Sequence, residues 1–303
     1  SEQAFREGIC AAHECGIGWD PQSNASASRR ADVRWRYFSG LLMLILPTFA
    51  RLSVALSLLA STTVACARLP APVAAAEVGM SAGRLGAVGD WMQSQVESKR
   101  VPGAVMLIVR NGQVAYFEAV GQQDPVHGTP MSKDSISRIY SMTKPMTSVV
   151  AMMLVEEGKL QLDAPLSRFL LAFATMKVGV ERKDPATGAK TLESVGTLRP
   201  ITVHDLLRHT SGITYGVFGD SAVERLYRAA QIGLHGDFTN AELADRVAAL
   251  PLQNQPGTAW EYGFSTDVLG RVLEVVEGQT LGTIMRRRLF APLGMKDTGF
   301  GLP

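Results

Sequence analysis

RIYSMTKPMTSVVAMMLVEEG, residues 138–158, sets a helix start and a candidate nucleophile within a few positions of each other. Proline is tolerated only in a helix's first turn, so Pro145 requires the helix to begin near Ser141. The continuation is apolar enough to be a buried central helix. Residues three apart on a helix are neighbours, about 5–6 Å between Cβ atoms. Lys144 therefore reaches the Ser141 hydroxyl, and the helix N-terminus favours negative charge developing there. Serine is a poor nucleophile near its ordinary pKa and needs a base, which a desolvated lysine can supply. Ser141-x-x-Lys144 alone is a weak signal, because a capping serine followed by an exposed lysine has the same spelling. Its surroundings have to decide.

Upstream, AVMLIVRNGQVAYFEAVG (residues 104–121) holds two β-rich runs around Asn111-Gly112. Asn-Gly accepts the positive φ angles of a type I′ turn, so this is a hairpin leading into the serine. Residues 84–99 read as an amphipathic helix carrying Leu85, Val88, Trp91, Met92 and Val96. Downstream, residues 141 to about 301 read as mostly helical. Thr202-x-x-Asp205 and Thr239-x-x-Glu242 have the form of capping boxes, and Gly212 and Gly278 mark helix stops. A hairpin followed by a run of helices is an α+β order, without the alternation of a doubly wound sheet.

The 303 residues are 46 % hydrophobic with a formal charge of +2, and basic residues are scattered. That balance gives no nucleic-acid surface; Arg286, Arg287 and Arg288 read as a solvated helix face. The cysteines are Cys10, Cys15 and Cys66, so the rest of the chain is indifferent to redox compartment. Cys10 and Cys15 flank His13, but no second ligand pair follows, so neither metal nor cofactor is expected. Residues 1–77 read as an N-terminal extension and 78–303 as the domain that carries the candidate nucleophile. Within the extension, Arg51 interrupts an apolar stretch and argues against a spanning helix. LSVALSLLA after it has the length of a signal-peptide core, followed by Ala65-Cys66-Ala67 or Ala74-Ala75-Ala76 as cleavage sites. Cys66 is the alternative, as a lipidated residue, although Thr63 fits that pattern poorly. Export to the periplasm or medium is the expectation, with membrane contact only through such a signal or anchor.

The stretch from Arg138 to Leu170 resembles the nucleophile region of the serine β-lactamase-like family, which spans class C β-lactamases, D,D-peptidases and family VIII carboxylesterases. ITVHDLLRHTSGITYG, PGTAWEYGFSTDVLGRVLEVVEG and APLGMKDTGFG follow in the family's order, so the resemblance runs from about residue 80 to 300. It implies a β-lactamase/transpeptidase-like fold, an antiparallel sheet flanked by helices, and no cofactor. It also implies that Tyr262, at the tyrosine of the family's Y-x-N motif, shares proton transfer with Lys144; either could take the first proton. The asparagine position holds Phe264, a departure that resembles the esterase branch and weakens the case for β-lactam hydrolysis. Tyr215 is the candidate substrate-contacting residue and, with Phe218, either lines an acyl pocket or packs under a loop. His209 reads as a helix-to-loop junction rather than a base.

Members of the family continue past the PLGM segment into a third region with a K-T-G-type motif, whose strand completes the sheet and the oxyanion site. With the C-terminal sheet strands missing, the expectation is a partial domain that folds poorly and turns over little by itself. The function implied is a serine hydrolase cleaving small acyl esters through an acyl-enzyme on Ser141. A D,D-peptidase or β-lactamase is the catalytic rival, and a non-catalytic binding or regulatory homologue that keeps the fold is the rival of a different class. The partner is a small acyl substrate; the sequence leaves oligomeric state open.

Overall fold

The computed structural model describes residues 69–232 and 238–301. The proposed signal segment and all three cysteines fall outside them.

After a 3₁₀ turn (Ala75–Val78), helix α1 spans Ala82–Glu97, with the Ser81 hydroxyl accepting from the Arg84 amide as its cap. Leu85 and Met92 are buried on it as the periodicity predicts, but Trp91 is 59 % exposed. Strands β1 (Gly103–Arg110) and β2 (Gln113–Asp124) pair antiparallel, with Arg110 opposite Gln113 across the turn. Asn111 and Gly112 have φ of +53° and +73°, the pair of positive angles that a type I′ turn needs. A two-residue strand, β3 (Thr129–Pro130), adds to β2, giving the order β1-β2-β3. A small cluster of Val78, Leu85 and Ala115 joins α1 to this sheet, with Ile108 and Tyr116 partly buried against it.

The rest is an α-rich body with one large core. A 3₁₀ turn (Tyr140–Met142) leads into helix α2 (Thr143–Glu156), so the helix starts where Pro145 requires. A hairpin of β4 (Lys177–Lys183) and β5 (Lys190–Gly196) then interrupts the run that reads as helical. Asp184 closes its turn by accepting from the Ala186 and Thr187 amides. The short helix α3 (Val203–Leu207), α4 (Ala222–Ala229) and α5 (Asn240–Ala248) each begin with a capping box, from Thr202, Ser221 and Thr239. Helix α6 (Ser265–Glu277) ends on Gly278 in a left-handed conformation, as expected. Gly212 is not a helix stop: α3 ends at Leu207, and His209, at φ +56°, takes the left-handed position first. Helix α7 (Leu281–Met285) runs into a π-helical turn (Arg286–Phe290).

Val268, Leu269, Val272 and Leu273 of α6 are fully inaccessible and pack with Val150, Ala151 and Leu154 of α2 and Ile284 and Met285 of α7. The far ends of these helices are tied by ions. Arg288 bridges Glu157 (2.6 Å) and Glu277 (2.7 Å), and Arg287 and Lys159 also pair with Glu277. The arginine triplet is thus not uniformly a solvated face, because the Arg288 side chain is largely buried between two carboxylates. These ties hold the Glu277 carboxyl at about 2, with Arg288 the largest cause.

Candidate active site

Three side chains from two segments 121 residues apart meet at one oxygen. The Tyr262 hydroxyl donates to Ser141 Oγ at 2.6 Å, and Lys144 Nζ donates to the same atom at 3.3 Å. Lys144 Nζ also sits over two aromatic faces, 4.8 Å from the Tyr262 ring centre and 5.6 Å from that of Tyr215. Such faces attract a cation without supplying a proton acceptor. Ser141 is exposed at the helix start, directly after Tyr140. Tyr140 has φ +41°, a left-handed conformation that costs a non-glycine residue about 1–3 kcal/mol and clusters at functional sites.

The loop that delivers Tyr262 is held from several sides. The Glu261 amide donates to the His209 carbonyl (2.7 Å) and the Gly257 amide to that of Thr210 (2.7 Å). The Glu261 carboxylate accepts from Thr214 (3.0 Å) and Asn254 (3.3 Å), and burial raises its pKa. A side chain at Gly263 would put its Cβ 2.2 Å from the Ile213 carbonyl oxygen, so only glycine lets the two loops approach this closely. Beneath them, Arg199 forks onto the buried Asp205, which also accepts from Thr202 and Thr210. These donors hold the Asp205 carboxyl far below its usual range, against the opposing effect of burial. The HTSG junction therefore acts as a clamp on the tyrosine loop.

Aromatic rings surround Tyr262. Trp260 stacks on it with centroids 5.8 Å apart, Tyr215 meets it edge-on at 5.5 Å, and Phe218 and His209 lie at 5.9 and 4.9 Å. His209 is no general base here. Burial, with the Lys144 charge second, pushes its imidazole down to about 4, and its Nδ1 has no hydrogen-bond partner. A neutral ring wedged against Tyr262 is a packing element, which agrees with the junction reading.

A cavity of about 310 Å³ opens onto Ser141, Lys144 and Tyr262, and Tyr215 and Phe218 are among its walls. Tyr215 does both things the sequence left open: it lines the cavity and it is packed, with its edge to Phe264 at 4.5 Å. Burial, then the neighbouring Asp267 carboxylate, pushes the Tyr215 hydroxyl well above the usual phenol range, so it stays protonated. Phe264 is only 2 % exposed and does not line the cavity. Sequence reasoning missed Asp267, whose Oδ2 lies 3.5 Å from the Tyr215 hydroxyl and which also faces the cavity. Burial raises its pKa and Lys144 opposes that. An acidic residue in a helix's first turn is ordinarily explained by the helix dipole, which conceals it.

A family model described as Beta-lactamase matches residues 88–303. Esterase EstB of Burkholderia gladioli is 37 % identical over 221 residues, covering 72 % of this chain and 51 % of that protein. Lovastatin esterase of Penicillium rubens is 33 % identical over 214 residues, covering 69 % and 51 %. Among solved structures, EstCE1, a hydrolase with promiscuous acyltransferase activity, superposes with a TM-score of 0.60 at 31 % identity, over 72 % of this chain and 53 % of that one. The chain thus spans about half the length of the relatives it matches.

Proposed function

This chain belongs to the beta-lactamase family, and from that premise we propose that it is a serine hydrolase acting on small acyl esters, with Ser141 as nucleophile. One observation carries the reading: Tyr262 and Lys144 both reach Ser141 Oγ, at 2.6 and 3.3 Å. In the reacting state the Lys144–Tyr262 pair is one proton short, so Ser141 Oγ bonds to the acyl carbon while its proton passes to that pair. The tetrahedral adduct collapses, the C–O bond to the alcohol breaks, and the pair returns the proton to the departing oxygen. Water then attacks the acyl carbon and gives a proton to Tyr262; the Ser141 Oγ–C bond breaks, that proton returns to Oγ, and the carboxylic acid leaves. Positioned proton transfer of this kind contributes roughly 10²–10⁴-fold. The position of Ser141 at a helix N-terminus supports a role for backbone amides in stabilising the oxyanion.

Phe264 supports esters over β-lactams. Its ring is packed into the core beside Tyr215, so the position offers no hydrogen bond to a substrate amide. The esterases among the relatives point the same way. The test compares p-nitrophenyl butyrate and nitrocefin turnover by the chain, slow as expected of a partial domain, with turnover by Ser141→Ala. Ester hydrolysis that exceeds nitrocefin hydrolysis and disappears in Ser141→Ala is the expected result. Unchanged turnover in Ser141→Ala would remove the nucleophile, and rapid nitrocefin hydrolysis would move the chain to the β-lactamase reading. Export of the mature protein is a further proposal, resting on the apolar LSVALSLLA segment alone.

A further inference from the structure

Asn240, Leu281 and Phe300 wall the cavity at Ser141 and at the same time wall a second one, of about 470 Å³. The two spaces are therefore neighbours with a common boundary. The second chamber lies between the start of α5, the middle of α6 and the start of α7.

Its polar side chains are engaged with one another. Glu274 accepts from Asn240 Nδ2 (3.0 Å) and the Leu281 amide (2.9 Å) through one oxygen, and from Arg271 (3.2 Å) through the other. The Thr280 hydroxyl pairs with that of Thr283 at 2.9 Å, and that of Thr239 donates to Glu242 at 2.8 Å. Arg271 and Glu274 cancel in charge. Apart from the remaining N–H groups of Arg271, what is left to meet a ligand is carbon: Ala241, Leu281, Gly282 and the Phe300 ring. A chamber of this kind selects by apolar area and shape rather than by directed hydrogen bonds.

We propose that the second chamber is the subsite for an apolar arm of the ester held at Ser141, an alkyl chain too long for the first cavity. The inference rests on the serine hydrolase reading and deepens it. Because the second space borders the cavity at the nucleophile and presents mainly carbon, a longer alkyl arm is what it would favour.

The test uses single-turnover labelling, which does not depend on deacylation. The probes are ethyl p-nitrophenyl methylphosphonate, its octylphosphonate counterpart, and octyl p-nitrophenyl methylphosphonate. In each case the Ser141 Oγ–P bond forms and the P–O bond to the aryl group breaks. p-Nitrophenolate leaves with the bonding pair, and the serine proton passes to Lys144–Tyr262 and on to solvent. Phosphonate-bound octyl places the chain on the acyl side and phosphonate-ester octyl places it on the alcohol side. One of the two octyl probes should label at least about tenfold faster than the methyl probe, since each buried methylene is worth roughly three- to fourfold.

Gly282→Leu should bring that ratio close to one. A Cβ at Gly282 would meet Phe300 at 3.5 Å, an ordinary contact in a helical position, so the new side chain fills the chamber without backbone strain. Ala241→Leu fills it from the opposite wall. A variant that merely unfolds loses methyl and octyl labelling together, so a selective loss of the octyl advantage identifies the chamber. Ratios near one for both octyl probes on the starting chain overturn the subsite, as does an octyl advantage that survives both fillings. Failure of even the methyl probe to label Ser141 overturns the hydrolase reading itself.

Discussion

Strand β1 leaves Val105, Leu107 and Val109 between 37 and 50 % exposed, whereas α6 leaves Val268, Leu269, Val272 and Leu273 at zero. The two regions obtain their shape differently. The hairpin is set by the conformational preferences of Asn111-Gly112 and by a three-residue cluster with α1. The body is set by dense packing of α2, α6 and α7, and it carries Ser141, Lys144, Tyr262 and Tyr215. The site's geometry therefore depends on packing in the body, because Ser141 opens α2, Tyr262 precedes α6, and these helices share one core.

The largest expected effect tests that division directly. Leu269→Ala should destabilise the chain by about 2–5 kcal/mol, the usual range for emptying a packed leucine site. Leu107→Ala on the exposed face of β1 should stay within about 1 kcal/mol. Urea denaturation of both variants measures the difference. Equal losses would mean that the hairpin contributes to the core as strongly as α6, and the contrast would not stand.

The same contrast governs what could be read beforehand. Local chemistry was legible: Asn111-Gly112 gives the turn, Pro145 the start of α2, Gly278 the end of α6, and Thr202 and Thr239 their caps. The β4–β5 hairpin was not, since Glu181, Arg182 and Lys183 break any apolar alternation and its stability comes from the Asp184 turn and Leu252, which bridges Val178. Exposure of Trp91 was equally hidden, because helical period alone does not say how wide the buried stripe is. Ser141 and Lys144 were readable from helical spacing. Their meeting with Tyr262 was readable only through resemblance, as no local pattern brings together residues 121 apart. Asp267 and the chamber behind Leu281 arise from tertiary packing and left no mark in any single segment.

An intermediate effect sharpens the view of the body as the pH-sensitive region. His209 titrates near 4 when folded, against 6.5 for an ordinary imidazole, so protons bind the unfolded chain preferentially. The stabilisation is complete above about pH 6.5, declines as pH falls toward 4, and levels off below that. Allowing for its partial exposure, the loss is roughly 2 kcal/mol. His209→Asn, which suits the left-handed backbone there, should flatten stability between pH 6.5 and 4. Glu157 and Glu277, both held at about 2, make their own contribution lower, as pH falls below about 4.5. Tm against pH for both proteins is the measurement; an unchanged slope in His209→Asn would place the acid sensitivity outside the tyrosine clamp.

The smallest effect asks whether the two regions open separately. Gly112 sits at φ +73°, where a side chain is strained, so Gly112→Ala should cost about 1 kcal/mol. If the hairpin opens as its own unit, amides of β1 and β2 in Gly112→Ala should exchange with deuterium about fivefold faster while those of α6 keep their protection. Equal acceleration in α6 would show that turn and core unfold as one cooperative unit. In that case a change in a turn far from Ser141 in sequence would reach the site through global stability, and the hairpin would have to be counted among the elements that hold Tyr262 and Ser141 together.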